Sequence, residues 1–152
     1  MGQRPDAQDG QSDTRRANAV RQSRWRGAFW GKPGAGRAHL GVDIDAASGT
    51  TVKAPVSGVV EGNAFDPYGP GSRHHGNYQA VRIRTDDGHF VDVLYIAPDA
   101  KIREGTAVIA GETVLGTAAD LSKTYGSEVP NDIHLQTRKG GRFRDPTTYI
   151  KD

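Results

Sequence analysis

The chain has 152 residues, including 20 glycines, 8 prolines and no cysteine, which fits a single domain with a modest core and excludes disulfides and thiolate metal sites. No apolar run approaches the roughly 18 residues of a membrane-spanning helix, and the N-terminus lacks the apolar stretch of roughly 7–15 residues that a secretory signal requires. We therefore expect no membrane insertion, and no export route is evident from the sequence.

The N-terminus is predicted to be a disordered or extended basic arm over residues 1–22. These residues include few apolar side chains, so they cannot bury enough surface to offset the entropy of ordering. Of the net charge of +2, residues 1–38 contribute +5, from eight Lys/Arg and three Asp, and the remaining 114 residues contribute −3. Such an arm either stays solvated or touches an acidic polymer of a cell wall, and we expect no nucleic-acid partner.

A glycine-rich aromatic segment follows, from Trp25 to Gly36. It mixes three large aromatic residues with glycine and proline, which is typical of a loop anchored onto a domain by its rings. The same rings would also suit the lining of a substrate groove.

Beyond Arg37 the sequence becomes a series of short strands separated by turn signals, which predicts an antiparallel β domain within residues 23–152. The pattern favours an all-β fold, with helix limited to one turn near Ala118–Lys123. The predicted strands are Leu40–Asp45, Thr51–Ala54, Gly58–Asn63, Tyr78–Arg84, His89–Ile96, Thr113–Thr117 and Ile133–Arg138.

The connection Asp66–Asn77 is long for a hairpin, and long loops in compact domains are often functional. It contains His74 and His75. We expect these side chains either to be exposed loop histidines or to reach over a cleft and supply an imidazole to a substrate.

Two potential metal ligands lie in the first of these strands. Strand alternation places His39 and Asp43 on one face and apolar residues on the other. A straight strand would separate their α-carbons by roughly 13 Å, which is too far for two ligands whose bonds to an ion are about 2 Å long. The chain is therefore predicted to bend at Gly41.

A third potential ligand, His134, lies in the last predicted strand. It shares a face with Gln136 and Arg138, and Asp132 belongs to the same face. Two histidines and one carboxylate with an open fourth position form the ligand set of several catalytic zinc sites. Taken alone, His-x-x-x-Asp is a weak pattern whose default interpretation is an exposed pair without a metal, so His39, Asp43 and His134 are at this point candidate ligands for one zinc ion.

Several motifs in order over about Gly27 to Ile150 resemble the lysostaphin/LytM-type zinc endopeptidases of bacterial cell walls, and among them the branch similar to the vertebrate chemotaxin. The resemblance implies an all-β sheet or sandwich of the duplicated hybrid motif kind, and a substrate among peptidoglycan peptides. The motifs are His39-Leu-Gly-Val-Asp43, Ser48-Gly-Thr-Thr-Val-Lys-Ala-Pro-Val-Ser-Gly-Val-Val60, Leu94-Tyr-Ile-Ala-Pro98, Gly111-Glu-Thr-Val-Leu-Gly116, Ile133-His-Leu-Gln136 and Asp145-Pro-Thr-Thr-Tyr-Ile150.

The resemblance assigns zinc binding to His39, Asp43 and His134. It also shows where this chain departs from the family. Asp132 stands in place of the first, catalytic histidine of a His-x-His motif. Ala97 stands where many members carry another active-site histidine, and this histidine is also missing in the chemotaxin-like branch.

Three roles are open for Asp132. As a general base it would accept a proton from water, a role that contributes on the order of 10² to 10⁴ in rate. As a further metal ligand it would close the open coordination position and make the site structural. As a surface acid it would have no role in chemistry.

Two further features leave alternatives open. Tyr95 either donates a hydrogen bond into the cleft or is a core ring with its hydroxyl at the edge. Arg138 and Lys139 either bind a peptide carboxylate or form a solvated hairpin end.

The leading functional hypothesis is a zinc-dependent endopeptidase that cuts the peptide cross-links of peptidoglycan, with Asp132 as its acid/base. The first alternative is a catalytically impaired zinc protein that binds wall fragments or a protein partner. The second is a secreted antibacterial effector that degrades a competitor's wall. Each hypothesis implies a location in the bacterial cell envelope or outside the cell.

Overall fold

The computed structural model describes residues 25–26, 41–126 and 130–144. Within these ranges the chain forms ten strands and one short helix. No helix among them is long and apolar enough to cross a membrane. The elements are β1 (Trp25–Arg26), β2 (Val42–Asp45), β3 (Thr51–Lys53), β4 (Gly58–Val60), β5 (Gln79–Arg84), β6 (Phe90–Pro98), β7 (Ala107–Val108), β8 (Val114–Ala118), α1 (Ser122–Tyr125), β9 (Asp132–Lys139) and β10 (Arg142–Arg144).

The all-β prediction is confirmed, and each of the seven predicted strands is present with shifted ends. The prediction of a loop at the start of Trp25–Gly36 is wrong, because β1 pairs with β2 and covers its otherwise open edge. The helical turn lies a few residues later than expected, at Ser122–Tyr125. The predicted N-terminal arm and Leu40 lie outside the described residues.

All the strand pairs are antiparallel and belong to one sheet. The main path runs β1-β2-β9-β6-β5-β4-β7, while β3 pairs with β8 and β8 joins the end of β6. The long strand β9 lies near the middle of this path. One of its edges pairs with β6, and its other edge pairs first with β2 and then, beyond the Gly140-Gly141 turn, with β10.

Alternation along β6 and β9 divides the sheet into two faces. Val91 and Val93 of β6 and Ile133 and Leu135 of β9 are each 0% exposed and belong to the hydrophobic core. Full burial of one such side chain stabilises the fold by roughly 1.5–3 kcal/mol. The intervening residues, which include His134, therefore lie on the opposite face, which we call the site face.

Candidate functional site

The main contact on the site face joins side chains of the neighbouring strands β2 and β9. Asp43 of β2 lies directly opposite His134 of β9. The Asp43 Oδ1 atom is 2.8 Å from His134 Nδ1, and the side chains are 26% and 13% exposed respectively. A carboxylate oxygen and an imidazole nitrogen therefore converge at a partly exposed position, where a small ligand has access.

Gly41 lies beside this pair, and the chain bends there before β2 begins, as predicted. A Cβ atom at Gly41 would lie 2.1 Å from the Leu135 carbonyl oxygen and 2.6 Å from His134 Nε2. Both separations are far shorter than a van der Waals contact. Glycine is thus required at this position to let the chain pass close to the imidazole ring.

The geometry of the Asp43–His134 pair is compatible with zinc binding. Two ligands of a tetrahedral zinc ion with bonds of about 2.0–2.1 Å are about 3.3 Å apart, close to the 2.8 Å between Asp43 Oδ1 and His134 Nδ1. His39, the third predicted ligand, lies outside the described residues. Within the described part of the chain, no group of three or more His, Asp or Glu side chains is placed to hold a metal ion.

Asp132 is the first residue of β9 and lies opposite Asp45. It is 7% exposed, so it is not a surface acid, and alternation places it on the site face with His134. Within the described residues, Asp132 does not form a metal-holding group with Asp43 and His134. Its burial leaves proton transfer and metal binding as the two remaining interpretations.

Asn131 holds the chain just before Asp132. Its side-chain amide nitrogen donates to the carbonyl oxygens of Ala46, at 2.8 Å, and Ala119, at 2.7 Å. Its amide oxygen accepts the backbone N–H of Leu121 at 2.8 Å. The residue thereby joins the ends of β2 and β8 to the start of β9, which fixes where Asp132 enters the sheet. Asn131 was not singled out from the sequence, because these contacts are distant along the chain.

Tyr95 occupies an unusual backbone position in β6. Its φ is 72°, the one positive value at a non-glycine among the described residues. The register shifts here, because Leu94 pairs with Ala80 and Ile96 pairs with Gln79. Tyr95 is therefore the extra residue of a β-bulge, which commonly redirects a side chain beside a functional site.

The bulge changes which residues face the cleft. Without it, Tyr95 would follow Val93 into the core; with it, Ile96 is buried instead at 2% exposure. Tyr95 remains partly exposed, and Ala97 is exposed. The Tyr95 ring centroid lies 6.4 Å from that of His134. These positions favour the cleft interpretation of Tyr95 over the core interpretation.

Aromatic side chains connect Tyr95 to the long loop. The Tyr68 hydroxyl lies 2.6 Å from the Tyr95 hydroxyl, and the Tyr78 ring meets Tyr95 edge-on at 5.4 Å. The His74 ring is 5.3 Å from Tyr68, so His74 reaches the site face through two tyrosines. An adjoining polar depression of about 350 Å³ is lined by Gly76, Asn77, Tyr78, Asp120 and Thr124.

The loop that carries Tyr68 is braced by Asp66. The Asp66 carboxylate accepts the backbone N–H of Tyr68 at 2.8 Å and of Gly76 at 2.5 Å, and these bonds lower the pKa of Asp66 below its ordinary value of 3.8. His75 is 47% exposed, with Nδ1 2.8 Å from the Tyr68 carbonyl oxygen and 3.2 Å from Asp66. His75 therefore stabilises its own loop.

Comparison with known proteins gives a consistent result. The family model described as Peptidase family M23 matches residues 37–146. A crystal structure of a mutant catalytic domain of the prophage-encoded M23 protein EnpA, from Enterococcus faecalis, is 24% identical. Its alignment covers 86% of this chain and 93% of that one, with a TM-score of 0.63.

Two other solved structures share the fold. The antimicrobial peptidase lysostaphin from Staphylococcus simulans is 20% identical over 86% of this chain and 51% of its own, with a TM-score of 0.66. This chain thus spans about half the length of lysostaphin. A chain of the SpoIIQ–SpoIIIAH pore forming complex is 17% identical over 89% of this chain and 90% of its own, with a TM-score of 0.62.

Proposed function

The chain belongs to peptidase family M23, and on that premise we propose that it is a zinc-dependent endopeptidase that cuts peptide cross-links of peptidoglycan. The observation that carries this proposal is the 2.8 Å approach of Asp43 Oδ1 to His134 Nδ1 on adjacent strands. His39, two residues before the bend at Gly41, is the proposed third ligand. A substrate of this class implies work in the bacterial cell envelope or outside the cell.

In this proposal zinc held by His39, Asp43 and His134 supplies a Lewis acid that lowers the pKa of water and polarises a carbonyl group. The chain's own residues supply proton transfer and orientation. Asp132, buried on the site face, accepts the proton of the attacking water at a carboxylate oxygen and later returns it to the leaving amine nitrogen.

Tyr95 and Tyr68 are the proposed donors to the negative charge that develops on the carbonyl oxygen of the cleaved amide. The two hydroxyl oxygens lie 2.6 Å apart, so both phenol groups converge at one point of the site face. Fixed donors of this kind contribute about 2.7–4 kcal/mol to transition-state stabilisation in other hydrolases. The bulge at Tyr95 and the braced loop around Tyr68 hold both hydroxyls in place without a histidine at position 97.

A second candidate function is a zinc-binding module that recognises wall fragments or a protein partner without cleaving them. The presence of Ala97 and Asp132 at positions where many family members carry histidine favours this alternative. A fold does not determine a function, and the M23-like fold also occurs in a pore forming complex.

Metal analysis combined with a peptidoglycan digest tests the leading proposal. We expect about one zinc ion per purified chain, lost in His134→Ala and in Asp43→Asn. His89→Ala is the matched control, because His89 pairs with Asp87 at 2.8 Å in a turn outside the site. Zinc bound by the His134→Ala protein with unchanged affinity would contradict the assignment of the ligands.

The digest separates the two candidate functions. We expect new peptide termini from cross-linked peptidoglycan, and a loss on the order of 10² to 10⁴ in rate for Asp132→Ala. If the natural chain binds zinc but releases no termini, and Asp132→His then gains cleavage, the binding module is the correct interpretation.

A further inference from the structure

Across β9, β6 and β5, the site face carries three cross-strand rows of side chains. The first row contains His134 of the ligand pair, and the two rows beyond it consist of polar and aromatic side chains. His134, Leu94 and Ala80 form one cross-strand row. Gln136, Asp92 and Arg82 form the next, and Arg138, Phe90 and Arg84 form the third. Residues two apart along a strand are separated by about 7 Å. The second and third rows therefore lie about 7 and 13 Å from His134.

Asp92 is the centre of the second row. It is 1% exposed and accepts two hydrogen bonds from Arg82, at 2.7 Å from Nε and 3.0 Å from Nη2. The Gln136 amide donates to it at 3.4 Å, and Arg138 Nη2 lies 3.9 Å from the same carboxylate. The hydrogen bonds to Asp92 raise the pKa of Arg82 above its ordinary value.

This cluster has more positive than negative charge. Two guanidinium groups face one carboxylate, which leaves a net charge of +1, and the arginine side chains are 29% and 32% exposed. The buried Nε–H of Arg138 has no hydrogen-bond acceptor among the described residues. One carboxylate thus does not satisfy both arginines, and the donor without an acceptor among the described residues is Arg138 Nε.

Aromatic rings hold both guanidinium groups in place. Arg82 lies over Phe65, 4.9 Å from its centroid, and 5.9 Å from that of Phe90. Arg138 lies 5.8 Å from the ring centroid of Phe143, on β10. A guanidinium fixed in this way presents its planar donors in a set direction and loses little freedom on binding a carboxylate.

We propose that Arg82, Asp92, Gln136 and Arg138, which we call the arginine floor, form a subsite that binds a carboxylate of the peptide substrate. The proposal rests on the endopeptidase function and names the substrate class as peptides with an anionic group. An extended peptide advances about 3.3 Å per residue, so the carboxylate lies two to four residues from the bond that is cut. It is either the α-carboxylate of a chain end or a side-chain carboxylate.

The alternative, a solvated hairpin end, describes Lys139 but not Arg138. Lys139 is exposed, whereas Arg138 turns onto the site face toward Asp92. The difference arises because strand alternation places neighbouring residues on opposite faces of the sheet.

Binding calorimetry of the full chain as purified tests this subsite. The probes are N-acetylated pentapeptides of glycine and alanine with a free C-terminal carboxylate or its amide, and a second pair with an internal glutamate or glutamine and an amidated end. We expect one carboxylate peptide of the two pairs to bind about tenfold more tightly than its amide, as for one charge-assisted contact. Which pair shows the preference identifies the source of the carboxylate.

Substitutions test whether the arginine floor is the source of the preference for a carboxylate. We expect Arg138→Gln to abolish the carboxylate preference and Arg138→Lys to keep part of it. Arg84→Gln is the matched control, because Arg84 lies in the same row but pairs with Glu61 at 3.0 Å and is 49% exposed. Equal binding of acids and amides by the natural chain, or a preference that survives in folded Arg138→Gln, would overturn the proposal. If Arg138→Gln fails to fold, the proposal is tested by the carboxylate preference of Arg138→Lys and by the comparison of carboxylate and amide peptides in the natural chain.

Mass spectrometry of the recovered peptides and a parallel peptidoglycan digest keep the two proposals separate. A carboxylate preference without any cleavage would refute the endopeptidase and leave the subsite standing. Cleavage of peptidoglycan without a carboxylate preference would refute the subsite and leave the endopeptidase standing.

Discussion

Gly41→Ala is the perturbation that most directly links the packing of β2 and β9 to metal binding. The new Cβ would lie 2.1 Å from the Leu135 carbonyl oxygen and 2.6 Å from His134 Nε2. The carbonyl belongs to the backbone of a buried strand and cannot move alone. The β2–β9 pair must therefore separate next to Val42 and Leu135, and the His134 ring must move.

The free energy of unfolding should fall by about 1–4 kcal/mol. Overpacking of this kind costs about 1–3 kcal/mol, and a weakened ladder hydrogen bond adds about 1 kcal/mol. The reduced freedom of the unfolded chain returns about 0.4–1 kcal/mol. Because the imidazole is displaced, we also expect zinc affinity to fall about 10- to 100-fold, the range seen when groups that orient a ligand are lost.

Urea titration and competition with a zinc chelator measure the two effects separately. Gly58→Ala is the matched control, because its Cβ would lie 2.3 Å from the Arg84 carbonyl oxygen, between β4 and β5, which carry neither Asp43 nor His134. It should be destabilised similarly and keep its zinc affinity. Gly69→Ala, with nothing within 4 Å, should change neither. Zinc affinity equal in the Gly41 and Gly58 variants would refute the reasoning.

Three other measurements test the supports of the site. Asn131→Asp replaces an amide that donates to two carbonyl oxygens with an acceptor, so urea titration should show a loss of about 2–3 kcal/mol, while the same change at exposed Asn77 should have little effect. A double-mutant cycle of Tyr68→Phe and Tyr95→Phe should return a coupling of about 0.5–1.5 kcal/mol; Tyr78→Phe and Tyr95→Phe, whose hydroxyls do not bond to each other, should be additive. The Thr85 hydroxyl, with help from His89, lowers the pKa of Asp87 from 3.8 to about 2. The stabilisation of the fold by the ionised Asp87 is therefore complete above pH 3.8 and disappears as the pH falls through 2. A carboxyl NMR titration of Asp87 should show that midpoint, and Thr85→Val should raise it.

The parts of the fold that depend on alternation could be predicted from the sequence. β2 and most of β5 and β9 alternate a buried residue with a polar one, so their strand character and their faces followed directly. The short strands β7 and β10 were missed. They have two and three residues, too few to establish a period, and they form because a neighbouring edge provides backbone partners.

The site was less predictable where the backbone departs from regular geometry. The bulge at Tyr95 adds one residue to β6, and nothing in the local pattern Leu94-Tyr95-Ile96 shows it, because all three side chains are apolar or aromatic. The burial of Asp132 and the contacts of Asn131 come from chain segments far away in sequence. Tyr68 lies in a loop whose conformation depends on Asp66, ten residues before Gly76.

The position of His134 and Arg138 on one strand restricts how the site can distinguish substrates. β9 is hydrogen-bonded along both edges, to β2 and β10 on one side and to β6 on the other. The distance of about 13 Å from the ligand pair to the third row is thus set by the strand itself. Loop 66–77, by contrast, contacts the site face through Tyr68 and Tyr95. Changes in that loop should therefore affect turnover, whereas the spacing between an anionic group and the cleaved bond is a property of β9.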